Sequence, residues 1–453
     1  MGLPPGSRLP GVAQTALLVR DPFGYFVRSR RKFGPVFRSR FVGIPRIVYV
    51  ATPALAEQVL RTDRDIGEAG TARKDFLEPL VGAHSVLCLE GDAWLRERRR
   101  LAAPFHGQRV RRWGDTIADV VAAQVARWPQ GTPFALRPWM QQVTLEVMFR
   151  VVFGLNSGDG RSSSPADGEA AASERALRAQ LPGLVDVASN AALAFVPARI
   201  VEWLDQAPLA RRLAHNPIAR FGQLKQSTDA LLLDQIRRRR QAGPDDSADV
   251  LSTLVAEPGM TDEQIRDELI TLLEAGHETT ATGIAWMFDQ LLRSPAALAK
   301  ALDAVVSGDP SYLQAIVKET LRIRPVVVDA PRVLTASLDL HGYRVPAGWY
   351  VAPVIPLVHT DPEAFPDPDS FRPERFLGDP LPSGAWIPFG GSRRMCLGIQ
   401  LAMFEMRVVL AEVLRHVELW PVDHAAERPR MRGVTLVPEH HTRVVARRRL
   451  LSR

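Results

Sequence analysis

Cysteine is scarce in this chain, whose 453 residues include only Cys88 and Cys396. Two cysteines cannot form the disulfide framework of a secreted protein, so we expect a reducing compartment, the cytoplasm. Long apolar runs are also lacking. The run nearest the N-terminus covers only residues 12–19, far short of the roughly 20 residues that cross a bilayer. It lacks the basic flank and cleavage site of a signal peptide, so neither a membrane span nor a secretion signal is predicted.

Several familiar catalytic patterns are missing. The chain contains no Gly-x-Gly-x-x-Gly fingerprint, no phosphate-binding loop, no Gly-x-Ser-x-Gly elbow and no zinc-spaced group of ligands. An enzyme of this sequence that needs electrons must therefore receive them from another protein. The net charge is +7 but aromatic residues make up only 7%, and no recognition helix is visible, so nucleic-acid binding is disfavoured. An acidic protein partner explains the positive charge better.

The order of the predicted elements argues against separable domains. Short strands at residues 36–40 and 46–50 find their best partner in a distant β segment, residues 338–354. The chain between them is mostly helical, with a solvated loop expected at residues 156–175. We therefore expect one domain over residues 1–453, mainly α with a smaller β-rich part, and a flexible stretch at residues 1–10.

The longest predicted helix runs from Thr261 to about Arg293. Thr261 and Gln264 form a capping-box pattern, and the Ser294-Pro295 pair ends the helix. Its second half is apolar on more than one side, which predicts that the helix is buried.

A glycine-rich loop, residues 389–398, places Cys396 just before the next strongly helical run. Backbone N–H groups at a helix N-terminus favour a thiolate, and Arg393 and Arg394 add positive charge. Such a thiolate suits a metal, and haem iron is one that accepts a single cysteine. The alternative is an inert small residue, which is common for a lone cysteine.

This loop resembles the haem-binding loop of the cytochrome P450 family, Phe-x-x-Gly-x-x-x-Cys-x-Gly. Phe389, Cys396 and Gly398 match, as does the basic residue Arg394. Ser392 stands where the family usually has glycine, at a position that requires positive φ, which costs about 1 kcal/mol. The resemblance implies that Cys396 ligates the iron of haem b, iron protoporphyrin IX, and that Phe389 and Arg394 border it.

A second motif lies within the long helix, at residues 275–283. Gly276, Thr279 and Gly283 share one face, which taken alone fits either a close helix crossing or a site for a flat group. The segment resembles the family's oxygen-activating motif. By that resemblance Glu278 and Thr279 are catalytic and pass the protons that dioxygen activation requires, while His277 is a packing residue.

Glu319 and Arg322 lie one helical turn apart, and taken alone they would be an ordinary surface pair. With Arg375 in the later Pro-Glu-Arg-Phe segment they resemble the family's structural Glu–Arg–Arg triad. Its implied task is to fix the cysteine loop. His359 falls in a run that resembles a structural segment, so it is not predicted to be a metal ligand.

The remaining site residues also follow from the resemblance. Trp94, Arg98 and Arg332 match positions that contact haem propionates, and Arg394 is expected to share that task because arginine can donate two parallel hydrogen bonds. The substrate pocket is expected along residues 64–88 and 181–215. The predicted pocket-facing side chains are apolar: Ala275, Val327, Val328 and Ala330. Asp329 could meet a polar substrate group or a propionate.

The resemblance spans nearly the whole chain and implies a soluble, bacterial-type monooxygenase with a long helix over the haem. It would insert one atom of dioxygen into an apolar substrate such as a fatty acid, terpenoid or steroid-like molecule. Electrons would come from a ferredoxin or flavodoxin with its reductase. The expected docking face contains five arginines: Arg96, Arg99, Arg100, Arg111 and Arg112. The alternatives are a peroxide-driven or isomerising haem-thiolate enzyme and a non-catalytic haem sensor.

Overall fold

Helices make up most of the computed structural model, which describes residues 2–44, 46–105, 107–155, 165–188, 217–243 and 249–449. The α-helices, in chain order, are α1 Gly11–Arg20, α2 Pro22–Phe33, α3 Pro53–Arg61, α4 Thr71–Val81, α5 Gly91–Ala102, α6 Gln108–Arg112, α7 Gly114–Val125, α8 Leu136–Val151, α9 Pro165–Ala188, α10 Pro217–Ala242, α11 Val250–Ala256, α12 Asp262–Leu292, α13 Pro295–Ser307, α14 Pro310–Ile323, α15 Ile355–Val358 and α16 Ile399–His416. Within the described ranges, none of these helices combines the length and apolarity that a bilayer crossing requires.

Short strands form four small sheets. They are β1 Val36–Ser39, β2 Ile47–Val50, β3 Gly67–Glu68, β4 Pro133–Ala135, β5 Arg332–Leu334, β6 Leu338–Leu340, β7 Tyr343–Val345, β8 Tyr350–Pro353, β9 Val417–Pro421, β10 Pro429–Arg432, β11 Thr435–Pro438 and β12 Arg443–Arg448. The largest sheet has the order β1-β2-β8-β5-β3. Ile47 of β2 pairs in parallel with Tyr350 of β8. The N-terminal strands therefore do pair with the distant β segment, as predicted.

The segment at residues 2–10 contacts the sheets: the Arg38 N–H donates to the Pro5 carbonyl at 2.8 Å, and the Arg344 N–H donates to the Gly2 carbonyl at 3.1 Å. The segment satisfies free backbone groups at the sheet edge. Residues 165–175, expected to be a loop, begin α9. This run is rich in alanine, whose high helix propensity outweighs the scattered polar residues. Residues 156–164 and 189–215 lie outside the described residues.

Helix α12 organises the helical part. The capping box is present: the Thr261 hydroxyl accepts from the Gln264 N–H at 3.2 Å, and the Gln264 side chain accepts from the Thr261 N–H at 3.0 Å. The helix packs against α8, α10, α14 and α16. From Asp267 to Leu291 only five side chains are not buried: Leu272, Glu274, Ala275, Gly276 and Thr279. The prediction of a long buried helix is confirmed, and its accessible residues lie within the motif or in the turn just before it.

Candidate active site

The Cys396 loop is a compact turn in front of α16. The Cys396 N–H donates to the Phe389 carbonyl at 2.9 Å, and the Gly390 N–H donates to the Ile387 carbonyl at 3.0 Å. Ser392 has φ of 57°, in the left-handed region that favours glycine, so it adopts the family geometry at a small cost. The loop therefore closes despite the serine.

The Cys396 thiol is accessible although it lies deep among protein atoms, which indicates that it lines an internal cavity. Burial raises its pKa, and this effect outweighs the backbone N–H groups of Gly398 and Ile399 and the nearby charges of Arg98 and Arg73. The groups that would stabilise a thiolate are thus in place. The pKa of the thiol nonetheless remains raised, so a bound metal cation would complete the deprotonation.

Three charged side chains meet behind this loop. Arg322 donates to both carboxylate oxygens of Glu319, at 2.7 and 2.8 Å, and both residues are fully buried. Arg375 Nε lies 3.4 Å from Oε1 of Glu319, an ion pair without hydrogen-bond alignment. The Arg372 N–H also donates to that oxygen at 2.8 Å. Glu319 therefore joins α14 to the chain segment that precedes the cysteine loop.

His359 connects this group of charged side chains to the chain that leads into the cysteine loop. Its Nε2 accepts from the Ile387 N–H at 2.9 Å, and its Nδ1 lies 3.1 Å from the Arg322 carbonyl oxygen. Burial lowers the pKa of His359 to about 3, so the ring is neutral and its Nδ1–H donates to Arg322. The sequence excluded His359 as a metal ligand but gave no sign of this positioning contact.

Two of the predicted propionate-binding residues stack on one ring. The guanidinium of Arg394 lies 4.2 Å from the centre of the Trp94 ring, and that of Arg98 lies 5.7 Å from it. Arg98 also donates to the Met395 carbonyl at 2.7 Å, next to the thiol. Arg394 forms a close ion pair with Glu90. Trp94 therefore aligns both guanidinium groups beside the cysteine loop.

The third predicted arginine, Arg332, is buried and pairs with Asp63, whose Oδ2 it reaches at 3.0 Å. Arg73 of α4, which the sequence analysis missed, lies near both Arg332 and Arg394. Burial and these two charges lower its pKa to about 10. Within the described ranges, neither Arg73 nor Arg98 has a carboxylate partner. Two unpaired guanidinium groups beside an accessible thiol fit a flat cofactor that carries two carboxylates.

The residues of the α12 motif lie in two environments: one side chain is accessible and two are buried against α8. Thr279 remains accessible, and its hydroxyl donates to the Ala275 carbonyl at 2.5 Å. Glu278 is buried, forms a close ion pair with Arg137 of α8 and accepts from Gln141 at 2.8 Å. His277 packs against α8, where its Nδ1 lies 2.8 Å from the Thr144 hydroxyl. The structure thus places only Thr279 of this trio on the accessible face, with Glu278 beside it and held by α8.

The expected pocket side chains alternate between two sides of their segment. Val328 packs among Phe37 and Tyr49, and Ala330 packs among Leu60 and Ile387, so both belong to the core. The alternation of an extended chain separates them from Val327 and Asp329, and their place beside the substrate stays a prediction. Val327, Asp329 and Ala275 remain accessible.

Asp329 has a partner that the sequence could not indicate. The Tyr49 hydroxyl donates to its carboxylate at 3.0 Å. Burial raises the pKa of Asp329 to about 6, while the hydrogen bond from Tyr49 and the charge of Arg73 oppose that rise. Asp329 therefore stands at the edge of the same group of arginines.

Comparisons with known proteins agree with this geometry. A sequence model described as Cytochrome P450 matches residues 3–444. A relative named putative cytochrome P450 135B1, from Mycobacterium tuberculosis, is 40% identical over 99% of this chain and 92% of its own length. Putative cytochrome P450 138, from the same species, is 35% identical over 99% of this chain and 97% of its own length.

Solved structures show the same fold. The cyanobacterial CYP120A1 structure with bound retinoic acid has a TM-score of 0.79 at 20% identity, covering 99% of this chain and all of that one. The cytochrome P450DA heme domain has a TM-score of 0.81 at 21% identity, covering 99% and 98%. The mainly α fold with small sheets is thereby confirmed as the P450 fold. The family binds haem b, and its reaction requires dioxygen, an organic substrate and a source of electrons. The chain therefore belongs to the cytochrome P450 family of haem-thiolate monooxygenases.

Proposed function

We propose that this chain inserts one atom of dioxygen into an apolar organic substrate, with Cys396 as the single protein ligand of the haem iron. The observation that carries the proposal is the accessible thiol of Cys396, deep in the protein and braced by the Glu319–Arg322–His359 contacts. Bound haem supplies the redox-active iron at which dioxygen is activated. Arg73, Arg98, Arg332 and Arg394 would hold its two propionates.

The protein's own contribution lies on α12. Thr279 offers a hydroxyl on the accessible face and passes protons to the reacting oxygen. Glu278, held beside that hydroxyl by Arg137 and Gln141, connects it to proton donors farther away. Val327 and Ala275 line the apolar part of the pocket, and the whole chain, residues 1–453, works as one catalytic domain.

Spectroscopy of the purified haem protein tests the ligand. The reduced protein under carbon monoxide should show the red-shifted absorption band that thiolate ligation produces. Cys396→Ser should abolish this band, whereas Cys88→Ser should retain it because Cys88 is buried elsewhere and burial raises its pKa to about 12. A wild-type protein without the band, or a Cys396→Ser variant that keeps it, would refute the proposal.

The electron donor is proposed to be a ferredoxin or flavodoxin that docks on the side of Cys396. Helix α6 packs against α16, so its surface lies near the cysteine loop. Arg96, Arg99, Arg111 and Arg112 are exposed and have no ion pair with the described residues, while Arg100 already pairs with Glu97. Four free positive charges suit an acidic partner.

The cytoplasm is the proposed location because Cys396 must remain a free thiol before it binds iron.

A further inference from the structure

Glu274 is an acid in an otherwise apolar stretch of the central helix. It lies one turn before Glu278 and next to Ala275, which is exposed although the helix on both sides is buried. Accessibility in the middle of a buried helix indicates an internal cavity. Because Glu274 is one of the five side chains of α12 that are not buried between residues 267 and 291, it borders that cavity.

The Glu274 carboxyl group has no partner among the residues that the structure describes. Its Oε1 is buried without a hydrogen bond, and the described residues offer it no ion pair. Arg137 cannot serve both acids, since it is engaged with Glu278 and with the Thr282 hydroxyl. Leaving a buried polar atom without a hydrogen bond destabilises the folded protein, and a leucine at this position would avoid that cost. A buried acid without a partner at a cavity wall is typical of a functional group.

The surroundings keep this carboxyl group protonated at neutral pH. Burial, and to a lesser extent the negative charge of Glu278, raise the pKa of Glu274 to about 8. A neutral carboxylic acid can donate one hydrogen bond and accept others. It is matched by an uncharged oxygen on the ligand, whereas a carboxylate would stand near Glu278 in a poorly hydrated site and be repelled.

Resting on the proposed function, we infer that Glu274 is a specificity-determining residue that hydrogen-bonds a hydroxyl or ketone oxygen on an otherwise apolar substrate. Oxygenated neutral terpenoids and steroids fit this requirement, and free fatty acids do not. The contact holds one end of the substrate on the face of α12 that also carries Thr279, and so sets which carbon lies nearest the reacting oxygen.

Matched ligand sets on the haem-loaded enzyme test the inference. Each set shares one skeleton: androstane with its ketone, alcohol and carboxylic acid, p-menthane with menthone, menthol and its carboxylic acid, and dodecane with dodecanol and dodecanoic acid. Dissociation constants come from the spin-state shift of the haem in wild type, Glu274→Gln and Glu274→Leu. In wild type, the ketone or alcohol of at least one set should bind at least about tenfold tighter than its hydrocarbon, the factor that one buried hydrogen bond provides.

The two variants distinguish recognition of the ligand oxygen by hydrogen bonding from recognition of the ligand's shape. Glu274→Gln should retain most of the preference because an amide also donates and accepts, while Glu274→Leu should reduce the ratio to about one without weakening the hydrocarbon. A preference that survives in Glu274→Leu overturns the inference. So does a wild-type enzyme that favours the hydrocarbon or the acid, or that responds to no oxygenated compound. If one of these results is obtained while the thiolate band under carbon monoxide is present, only the proposed role of Glu274 fails. If the band is absent, the proposed function itself has failed.

Discussion

At the scale of single residues, the motifs identify the groups near the haem but not the partners that hold them. Cys396, Glu319 and Arg322 stand in recognisable local patterns, and the structure brings them into one region. Asp63, the partner of Arg332, lies 269 positions away from it in the chain. No local spacing reports such a contact, because ion pairs between distant segments depend on how the helices and sheets assemble.

His359 is the positioning residue with the clearest prediction. Replacing it with leucine removes both ring contacts and leaves the Ile387 N–H and the Arg322 carbonyl buried without partners, a loss of about 1–3 kcal/mol for each group. We expect His359→Leu to bind haem but to lose part of the thiolate band under carbon monoxide, because the cysteine loop is less firmly held. The measurement is the fraction of haem in the thiolate form, alongside the thermal midpoint.

His424→Leu is the matched control, since His424 is exposed and far from the loop in sequence. It should leave both the spectrum and the midpoint unchanged. If His359→Leu lowers stability but keeps a complete thiolate band, His359 supports the fold in general and does not position the cysteine.

Glu405 in α16 yields a pH prediction. It is buried, its Oε1 has no hydrogen bond, and burial alone raises its pKa to about 8 from the 4.5 of an exposed glutamate. Between these two values the folded state holds a proton that the unfolded chain has released, so stability falls as pH rises. Each unit contributes about 1.4 kcal/mol at most. Glu405→Gln cannot titrate, so its unfolding midpoint should exceed that of wild type at pH near 8 and vary less with pH.

The control for this series is Glu363→Gln, at an exposed site without an ion pair among the described residues. It should show the wild-type pH dependence. Equal slopes for Glu405→Gln and wild type, measured by thermal unfolding across the same pH range, would mean that Glu405 is solvated or paired in solution.

At the scale of elements, local chemistry predicts helix ends better than it predicts loops. The capping box at Thr261 correctly marks the start of α12, and Gly34, with φ of 89°, follows the end of α2. The start of α9 departs from the expected loop because the alanines of this run favour a helix more than its serine and aspartate residues oppose one. Residues 327–330 alternate between accessible and buried side chains, an arrangement that depends on how this segment packs and that no local pattern reports.

The turn after α4 depends on a glycine for two reasons. Gly82 has φ of 90°, and a Cβ atom there would overlap the Asp267 carboxylate of α12. Asp267 is buried and held by the His84 N–H at 3.1 Å, so it cannot move aside. Gly82→Ala should therefore cost about 2–4 kcal/mol, combining backbone strain with overpacking. Gly259→Ala, at φ of 76° with open space around it, should cost only about 1 kcal/mol.

Thermal unfolding of the two haem-loaded variants measures this difference. Similar midpoints for Gly82→Ala and Gly259→Ala would show that the contact between this turn and α12 is not tight in solution, and that backbone strain alone determines both losses.

At the scale of the whole molecule, strands near the N-terminus pair with strands near residue 350, and the chain between them is mostly helical. Strand β8 lies between β2 and β5, so the largest sheet contains segments from near residue 40 and near residue 350. The sequence predicts this pairing because few other strands are available to the first two. It does not predict which surface remains free for a partner, since that depends on the packing of α5, α6 and α16 around the cysteine loop.

The electron-transfer surface provides the prediction at this scale. Reversing charge at Arg111 and Arg112 together should lower the rate of haem reduction by a ferredoxin or flavodoxin at low salt by at least about tenfold, because steering of an acidic partner depends on these charges. The dependence of the rate on ionic strength should become shallower. The control reverses Arg220 and Arg237, which are exposed and lie on α10, a helix that packs against α12. Reduction by dithionite, which needs no docking, should be equal in all variants. If the control pair slows the partner as much as Arg111 and Arg112 do, net charge and not a docking face governs the encounter.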